Sequence, residues 1–295
     1  MKILLYCPTY MKNGKMALDD RTKASIEALI VPDSVTMDIE IDTVNPIQLT
    51  GKARQDHENT LIKYRKARQN VLNEDYDALL TIEHDMIVPE DALVKMLETD
   101  ADVVYGLYLF RHVKPVLNCL RAVKADWADM SVSFFPELIE KGFRDGCLEC
   151  SGAGYGCTLI HRRVLDILDF RRAEDGHPSS DMPFAADCLR YNFKQVCRFD
   201  IPCGHIKADK TVLWPHGEGG MKMSDMVKIY VYQSFNADIN GHNKHFEEGT
   251  ETEMPEDLAH EFVRAGFVGY VVKKPAVKVV SPEKKTTTTK KAAVK

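Results

Sequence analysis

The chain has 295 residues, 44% hydrophobic and 28% charged, enough to bury a full core and unlike a disordered acidic solvator or a small disulfide scaffold. Its 39 Lys and Arg against 44 Asp and Glu leave a net charge of −5, which argues against the basic footprint of a whole-chain nucleic-acid or membrane binder. The charge is uneven, since eight lysines from Lys273 onward face one acid, Glu283, so an acidic body carries a basic tail.

No run approaches the roughly 20 apolar residues of a bilayer span, and MKILLYCPTY reaches Pro8 before it supplies a signal-peptide core. A soluble, cytoplasmic protein is expected. The eight cysteines are scattered through apolar stretches, as reduced core residues of a cytosolic chain are. Cys147 and Cys150 form a C-x-x-C, but no second pair follows at zinc spacing, so buried or loop cysteines are the expectation.

KILLYC is a short apolar run that stops at Pro8-Thr9-Tyr10, the pattern of a buried parallel strand ending in a loop. A helix is expected from about Met16 to Leu29, then a half-covered strand over residues 35–44, where Val35, Met37, Ile39 and Ile41 alternate with polar neighbours. His57 to Asn73 reads as an amphipathic helix. In DALLTIEHD an apolar strand, Ala78 to Ile82, runs directly into Glu83-His84-Asp85. Pro89 opens another helix, and ADVVYGLYLF is a fourth strand. This alternation is that of an α/β layer fold with a mostly parallel sheet, in which ligands bind at the carboxyl ends of the strands.

The middle of the chain is less regular, with one helix expected around residues 136–141. SGAGYG reads as a loop, CTLIHR as a strand, RVLDILDF as a helix, DMPFAADCLRYNF as a second helix, and KQVCRFDIPCGHI as a strand running into a loop. Residues 247–253 are acidic and polar. MPEDLAHEFVRAGFVGYVVKK reads as a capped helix, a glycine stop at Gly266 and a short strand. The expected division is a catalytic domain over 1–248, a small helix-strand appendage over 249–275 and a disordered basic tail over 276–295.

Glu83 and Asp85 are two residues apart just after a buried strand, and alternate residues of an extended segment point to one side. Two carboxylates so placed suit a hard divalent ion that also takes phosphate oxygens; a solvated loop or the acid at a helix start is the plainer reading. Arg68, in KARQNVL, offers a planar donor fork for a diphosphate or else a solvated helix face. SGAGYG does not satisfy G-x-G-x-x-G, because its third glycine is Gly156, so Gly152, Ala153 and Gly154 either admit a ligand close to the backbone or make an ordinary turn. Asp181, after Ser180, stands at a helix start as a base or as a cap. His205 follows a strand, where a lone histidine is more often structural. His242 and His245 read as surface histidines of a Gly/Asn-rich loop, and Trp214 as a sugar platform or a core residue.

Taken in order, the strand with Glu83-His84-Asp85, ADVVYGLYLFR, SGAGYGCTLIHRRVLDIL, DMPFAADCLRYNF and FDIPCGHI resemble the GT-A class of nucleotide-sugar glycosyltransferases, close to the family 2 type, over about residues 1–210. The resemblance implies a GT-A fold, a Rossmann-like mixed, mostly parallel sheet flanked by helices, with Mn²⁺ or Mg²⁺ as cofactor. It implies a nucleotide-diphospho-sugar donor and a hydroxyl-bearing acceptor: a glycan, a protein or a modified nucleobase. Glu83-His84-Asp85 matches the D-x-D motif with glutamate in its first position: Asp85 corresponds to the metal-binding acid, Glu83 to the one near ribose or metal-bound water, and His84 lies between them. Pro8, Thr9 and Tyr10 match the nucleoside loop, Asp42 a base contact, and Arg68 with Asn70 the arginine-asparagine pair before the D-x-D strand. Asp181 takes the place of the general base, His205 that of the histidine completing the metal shell, and residues 152–154 with Trp214 that of the donor and acceptor loop.

The C-terminal segment resembles, briefly, helix-strand appendages of phage structural proteins, which implies a docking or homo-oligomerisation role and a viral origin, with the host cytoplasm as location. Two other functions remain open. A nucleotidyltransferase would share the sheet but needs a glycine-rich basic loop after the first strand, where CPTYMKNGK supplies Lys12 and Lys15 without the glycine run. A non-catalytic virion protein with a degenerate fold would tolerate Glu83 and Ser180.

Overall fold

The computed structural model describes residues 1–12, 14–47, 53–111, 116–120, 136–172, 180–215, 226–239, 242–255, 259, 262–263 and 267–271. In chain order these form β1 (Lys2–Pro8), β2 (Met11–Lys12), β3 (Lys15–Met16), α1 (Asp20–Glu27), β4 (Thr36–Asp42), α2 (Ala53–Asn73), β5 (Ala78–Ile82), β6 (Met86–Ile87), α3 (Ala92–Leu97) and β7 (Val103–Leu107). Then come α4 (Pro136–Asp145), β8 (Cys147–Glu149), β9 (Cys157–His161), α5 (Arg162–Leu165), α6 (Asp181–Arg190), β10 (Gln195–Pro202), β11 (Gly204–Ile206) and β12 (Val212–Leu213). Five more strands follow: β13 (Met226–Val231), β14 (Phe235–Ile239), β15 (His242–Phe246), β16 (Glu251–Pro255) and β17 (Val268–Tyr270). The chain divides into two compact units, Met1–Ser224 with Asn236–Lys244, and Asp225–Phe235 with His245–Lys295.

The first unit is built on a seven-stranded sheet of order β4-β1-β5-β9-β7-β10-β8. β1 pairs in parallel with β4 and β5, and β7 with β10, while β9 runs antiparallel between β5 and β7, and β8 antiparallel at the edge. Five of the seven strands therefore point one way. The chain is thus mixed α/β, with a mostly parallel central sheet flanked by helices, as its alternating pattern leads one to expect.

The apolar runs are continuous because both sheet faces are covered. Leu4, Tyr6, Leu79, Tyr105, Ile160 and Cys197 belong to the core under α2, α5 and α6, whereas Ile3, Leu5, Leu80, Val104, Leu159 and Val196 belong to the core on the opposite face. Alternate residues of each strand thus serve opposite layers.

The boundaries differ from expectation where tertiary contacts override local pattern. α1 begins only at Asp20, because the Asp19 side chain caps it by accepting the Arg21 N–H at 3.1 Å. The helix expected over RVLDILDF stops at Leu165; Leu168 and Phe170 are instead drawn into the core, where Phe170 stacks on Phe184 with centroids 4.9 Å apart. His242 and His245 lie in strand β15, not in a loop. No described helix is long and apolar enough to cross a membrane. All eight cysteines are free, and only Cys147 is exposed.

In the second unit, β13 pairs with β16 and β17 in a three-stranded antiparallel sheet. Phe235 stacks against Phe246 and Phe262 at 4.8 and 4.4 Å, and Ile229, Val231, Met254 and Val268 are buried. Most of the helix expected around residue 260, and the whole tail over 276–295, lie outside the described residues.

Candidate functional site

The carboxyl end of β5 carries the acidic segment, and its backbone is tied to three neighbouring elements. The Glu83 N–H donates to the Gly156 carbonyl (3.0 Å), the Asp19 N–H to the His84 carbonyl (3.2 Å), and the Ile206 N–H to the Asp85 carbonyl (2.8 Å). Residues 83–86 form a turn closed by the Met86 N–H on the Glu83 carbonyl at 3.1 Å, not the extended segment that alternation assumes. The two carboxylates remain close enough for the charge of Asp85 to act on Glu83, but their surroundings differ.

Asp85 is nearly buried, its side chain 10% exposed. Its Oδ2 accepts from Arg111 Nη1 at 2.7 Å and lies 3.8 Å from His205 Nε2, while Oδ1 has no hydrogen-bond partner among the described residues. His205, on β11, donates from Nδ1 to the Leu109 carbonyl at 2.7 Å. That bond fixes the tautomer and leaves the Nε2 lone pair facing Asp85, and burial holds the ring below its ordinary pKa despite the carboxylate beside it. Tyr108 packs edge-on against the same imidazole, with centroids 5.3 Å apart.

A buried carboxylate oxygen without a partner is rare in folded proteins. Together with an oriented imidazole lone pair it makes a donor set that fits a hard divalent cation. Among the described residues no third His, Cys, Asp or Glu completes a protein-only cage, so the set suits Mg²⁺ or Mn²⁺, which take one or two protein ligands and fill the remainder with phosphate oxygens and water.

Glu83 turns to an aromatic floor. Its Oε1 accepts from Tyr64 Oη at 3.0 Å, and Tyr64 packs on Tyr155 and Phe170. Burial pushes the Glu83 carboxyl up to about 7, the Asp85 charge adds to this, and the Tyr64 bond pulls the other way. Asp181 contributes to the same rise and so belongs to the same cluster of carboxylates.

The glycine-rich segment lies between them. A Cβ on Gly154 would stand 2.1 Å from Tyr108 Oη and 3.3 Å from Asp181 Oδ2, and one on Gly156 would meet Tyr108 at 2.8 Å. Gly152 faces Ala185 at 2.3 Å on the same basis, and Ala153 is buried. Thr81 Oγ1 donates to the Tyr155 carbonyl at 2.9 Å, which ties the loop to β5. Tyr155 Oη donates to the Ser180 carbonyl at 3.1 Å and fixes the start of α6. There the Ser180 side chain makes no capping bond, and Asp181 Oδ1 accepts from the Met182 N–H at 3.0 Å. Pro183 falls in the first turn, where no helical N–H bond is lost.

The other sequence candidates separate into two groups. Tyr10 stands edge-on to His84 at 5.4 Å, at the mouth of the turn. Thr9 is buried, its carbonyl accepting from Lys63 and its Oγ1 without a partner among the described residues, and Pro8 ends β1 opposite Asp42. Asp42 is already engaged by Tyr6 Oη (2.6 Å), Lys66 Nζ (3.0 Å) and the Val44 N–H (2.9 Å); burial pushes its carboxyl up, but these bonds prevail and hold it below the usual range. Trp214 packs over Gly204, next to His205, leaving no space for a Cβ there.

Arg68 and Asn70 are not brought to the acidic turn. Arg68 Nε donates to the Leu165 and Leu168 carbonyls at 2.8 and 2.7 Å and so caps the end of α5, and Asn70 donates to Glu40 at 2.8 Å. Arg111, Tyr64, Tyr108 and Tyr155 are the contributors that residue-by-residue reading missed. Tyr64 and Tyr155 resemble ordinary core positions in a linear pattern, and Arg111 simply follows an apolar run.

No family model and no curated protein matches the chain by sequence. Among solved structures, A197 from STIV overlaps 74% of this chain and 96% of its own at 16% identity, with a TM-score of 0.43. Residues 1–349 of TarS from S. aureus overlap 68% of this chain and 58% of that one at 11% identity and a TM-score of 0.39. Mannose-1-phosphate geranyltransferase from Thermus thermophilus overlaps 68% and 75% at 13% identity and a TM-score of 0.31. At this level the likeness is one of partial architecture.

Proposed function

We propose that this chain is a glycosyltransferase dependent on a divalent cation, passing a sugar from a nucleotide-diphospho-sugar to a hydroxyl acceptor. The observation that carries the reading is the clustering of two differently placed acids near Tyr108 and the glycine loop: Asp85, whose Oδ1 has no partner among the described residues and whose Oδ2 lies 3.8 Å from His205 Nε2, and Asp181 at the start of α6. In this reading Asp85 and His205 hold the cation, which supplies positive charge to the departing diphosphate. Tyr10, Thr9 and His84 border the nucleoside side.

Asp181 takes the proton of the acceptor hydroxyl as its oxygen bonds to the anomeric carbon and the bond from that carbon to the diphosphate breaks. The N-terminus of α6 favours the negative charge this needs. Glu83, with a pKa near neutrality and bonded to Tyr64, is better suited to a hydrogen bond with the donor than to holding the ion.

The test is donor turnover with and without Mn²⁺ in the wild type and in Asp85→Asn, with thermal unfolding measured alongside. Release of free sugar that needs Mn²⁺ and disappears in the folded variant supports the reading. Full turnover in the variant removes it, and release of sugar 1-phosphate, by cleavage between the two phosphorus atoms of the donor, points to nucleotidyl transfer instead.

A further inference from the structure

The cation that Asp85 holds in this structure is a side chain. Arg111 Nη1 bonds Asp85 Oδ2 at 2.7 Å and the Ile206 carbonyl at 3.1 Å, so one guanidinium nitrogen bridges the acidic turn to β11, beside His205. The pair is lopsided in two ways. Asp85 is fixed and nearly buried, whereas the Arg111 side chain is 46% exposed and lies on the loop after β7. Moreover, the contact satisfies only Oδ2 and leaves Oδ1 orphaned, so the arginine neutralises the carboxylate without completing its hydrogen bonding.

A divalent ion held by Asp85 Oδ1 and His205 Nε2 would share the one carboxylate whose Oδ2 the guanidinium already holds. It would also place two positive centres within a few ångströms on one nearly buried carboxylate, where water screens their repulsion only in part. A polyanion that joins them relieves the repulsion, and a diphosphate suits a guanidinium because its oxygens match the planar donor fork.

We propose that Arg111 is a latch that makes cation binding conditional on the nucleotide diphosphate: it occupies Asp85 when the site is empty and transfers to the diphosphate when ion and nucleotide arrive together. This rests on the reading of Asp85 and His205 as the cation site. It assigns to Arg111 a positioning role beyond diphosphate contact, because metal and nucleotide must then raise each other's affinity by the same factor.

Binding, not turnover, tests the latch. Mn²⁺ is titrated into wild type, Arg111→Gln, Arg111→Lys and Asp85→Asn by electron paramagnetic resonance, alone and with saturating UDP, GDP, CDP or ADP; thermal unfolding checks the fold of each. The wild type should bind Mn²⁺ weakly alone and at least about tenfold more tightly with the nucleotide it accepts, within the usual range of coupling. Arg111→Gln should bind Mn²⁺ alone at least about tenfold more tightly than wild type and lose most of the gain from nucleotide, while Arg111→Lys, which keeps the charge, stays weak alone. Unchanged or weaker Mn²⁺ binding in Arg111→Gln refutes the latch, and the metal-alone arm decides this whichever nucleotide binds. Should Asp85→Asn lose Mn²⁺ while Arg111→Gln behaves as wild type, the latch falls and the cation site stands. Should Asp85→Asn bind Mn²⁺ as wild type does, or neither wild type nor Arg111→Gln bind any with or without nucleotide, both fall.

Discussion

Replacing Glu83 by Gln should stabilise the protein at neutral and alkaline pH and leave its stability nearly unchanged in mild acid. The Glu83 carboxyl is raised from an ordinary 4.5 to about 7, first by burial and then by the charge of Asp85. A group whose folded pKa lies above its unfolded value contributes stability fully present below the unfolded value, which is lost as pH rises through the folded one. For Glu83 that window runs from about 4.5 to about 7, because there the folded state holds the proton more tightly than the unfolded chain. A difference of this size corresponds to about 3 kcal/mol; the side chain keeps some contact with water, so about 2 kcal/mol is the expected share. Glutamine preserves an oxygen to accept the Tyr64 hydroxyl bond but never ionises. Urea unfolding of both proteins from pH 4.5 to pH 8, with chelator present, gives the comparison. The difference in stability, Gln over Glu, should grow by about 2 kcal/mol across that range. A difference flat with pH, or one that shrinks as pH rises, would refute the assignment of Glu83 as a carboxyl strained by burial.

Three further outcomes follow from the same geometry. Asp181→Asn should lower kcat by about 10²- to 10⁴-fold, the range of general-base contributions, with donor affinity unchanged by isothermal titration; equal loss of both means Asp181 only shapes α6. Gly154→Ala places a Cβ 2.1 Å from Tyr108 Oη, on a ring held against His205, so the loop must shift. Overpacking of this kind costs about 1–3 kcal/mol by urea unfolding, and turnover should drop at least about tenfold; wild-type turnover would show that the loop is not held in register by Tyr108. Arg68→Ala should cost about 1–2 kcal/mol through the freed carbonyls of Leu165 and Leu168, with donor KM unchanged; a raised KM with stability intact would return Arg68 to the diphosphate.

The sequence made the β5 end of the site legible because burial and chemistry change abruptly there: five buried residues, Ala78 to Ile82, are followed at once by Glu83, His84 and Asp85. Direction was not legible. An apolar run such as CTLIH is buried on both faces and looks the same whichever way it runs, yet the antiparallel course of β9 between β5 and β7 is what delivers SGAGYG to Glu83 and Asp181. Two arginines make the same point. Arg68 looked functional from its motif, but one turn beyond Tyr64 on α2 it reaches the end of α5; Arg111 carried no signal, and the pairing of β6 with β11 puts Ile206 and Asp85 within its reach.

The glutamate in the first acidic position also gains a physical reason from the fold. Because residues 83–86 turn instead of extending, the two acids do not share one environment. Asp85 lies against a guanidinium and an imidazole, and Glu83 carries its carboxyl to the Tyr64 hydroxyl on the aromatic floor. A shorter aspartate there would withdraw its oxygen by about one bond from that hydroxyl, leaving a buried donor poorly satisfied at a cost of about 1–3 kcal/mol. Asp85 thus stays between a guanidinium and an imidazole while burial raises the Glu83 carboxyl to about 7, and the extra methylene of Glu83 is what lets the two carboxyls keep such different surroundings.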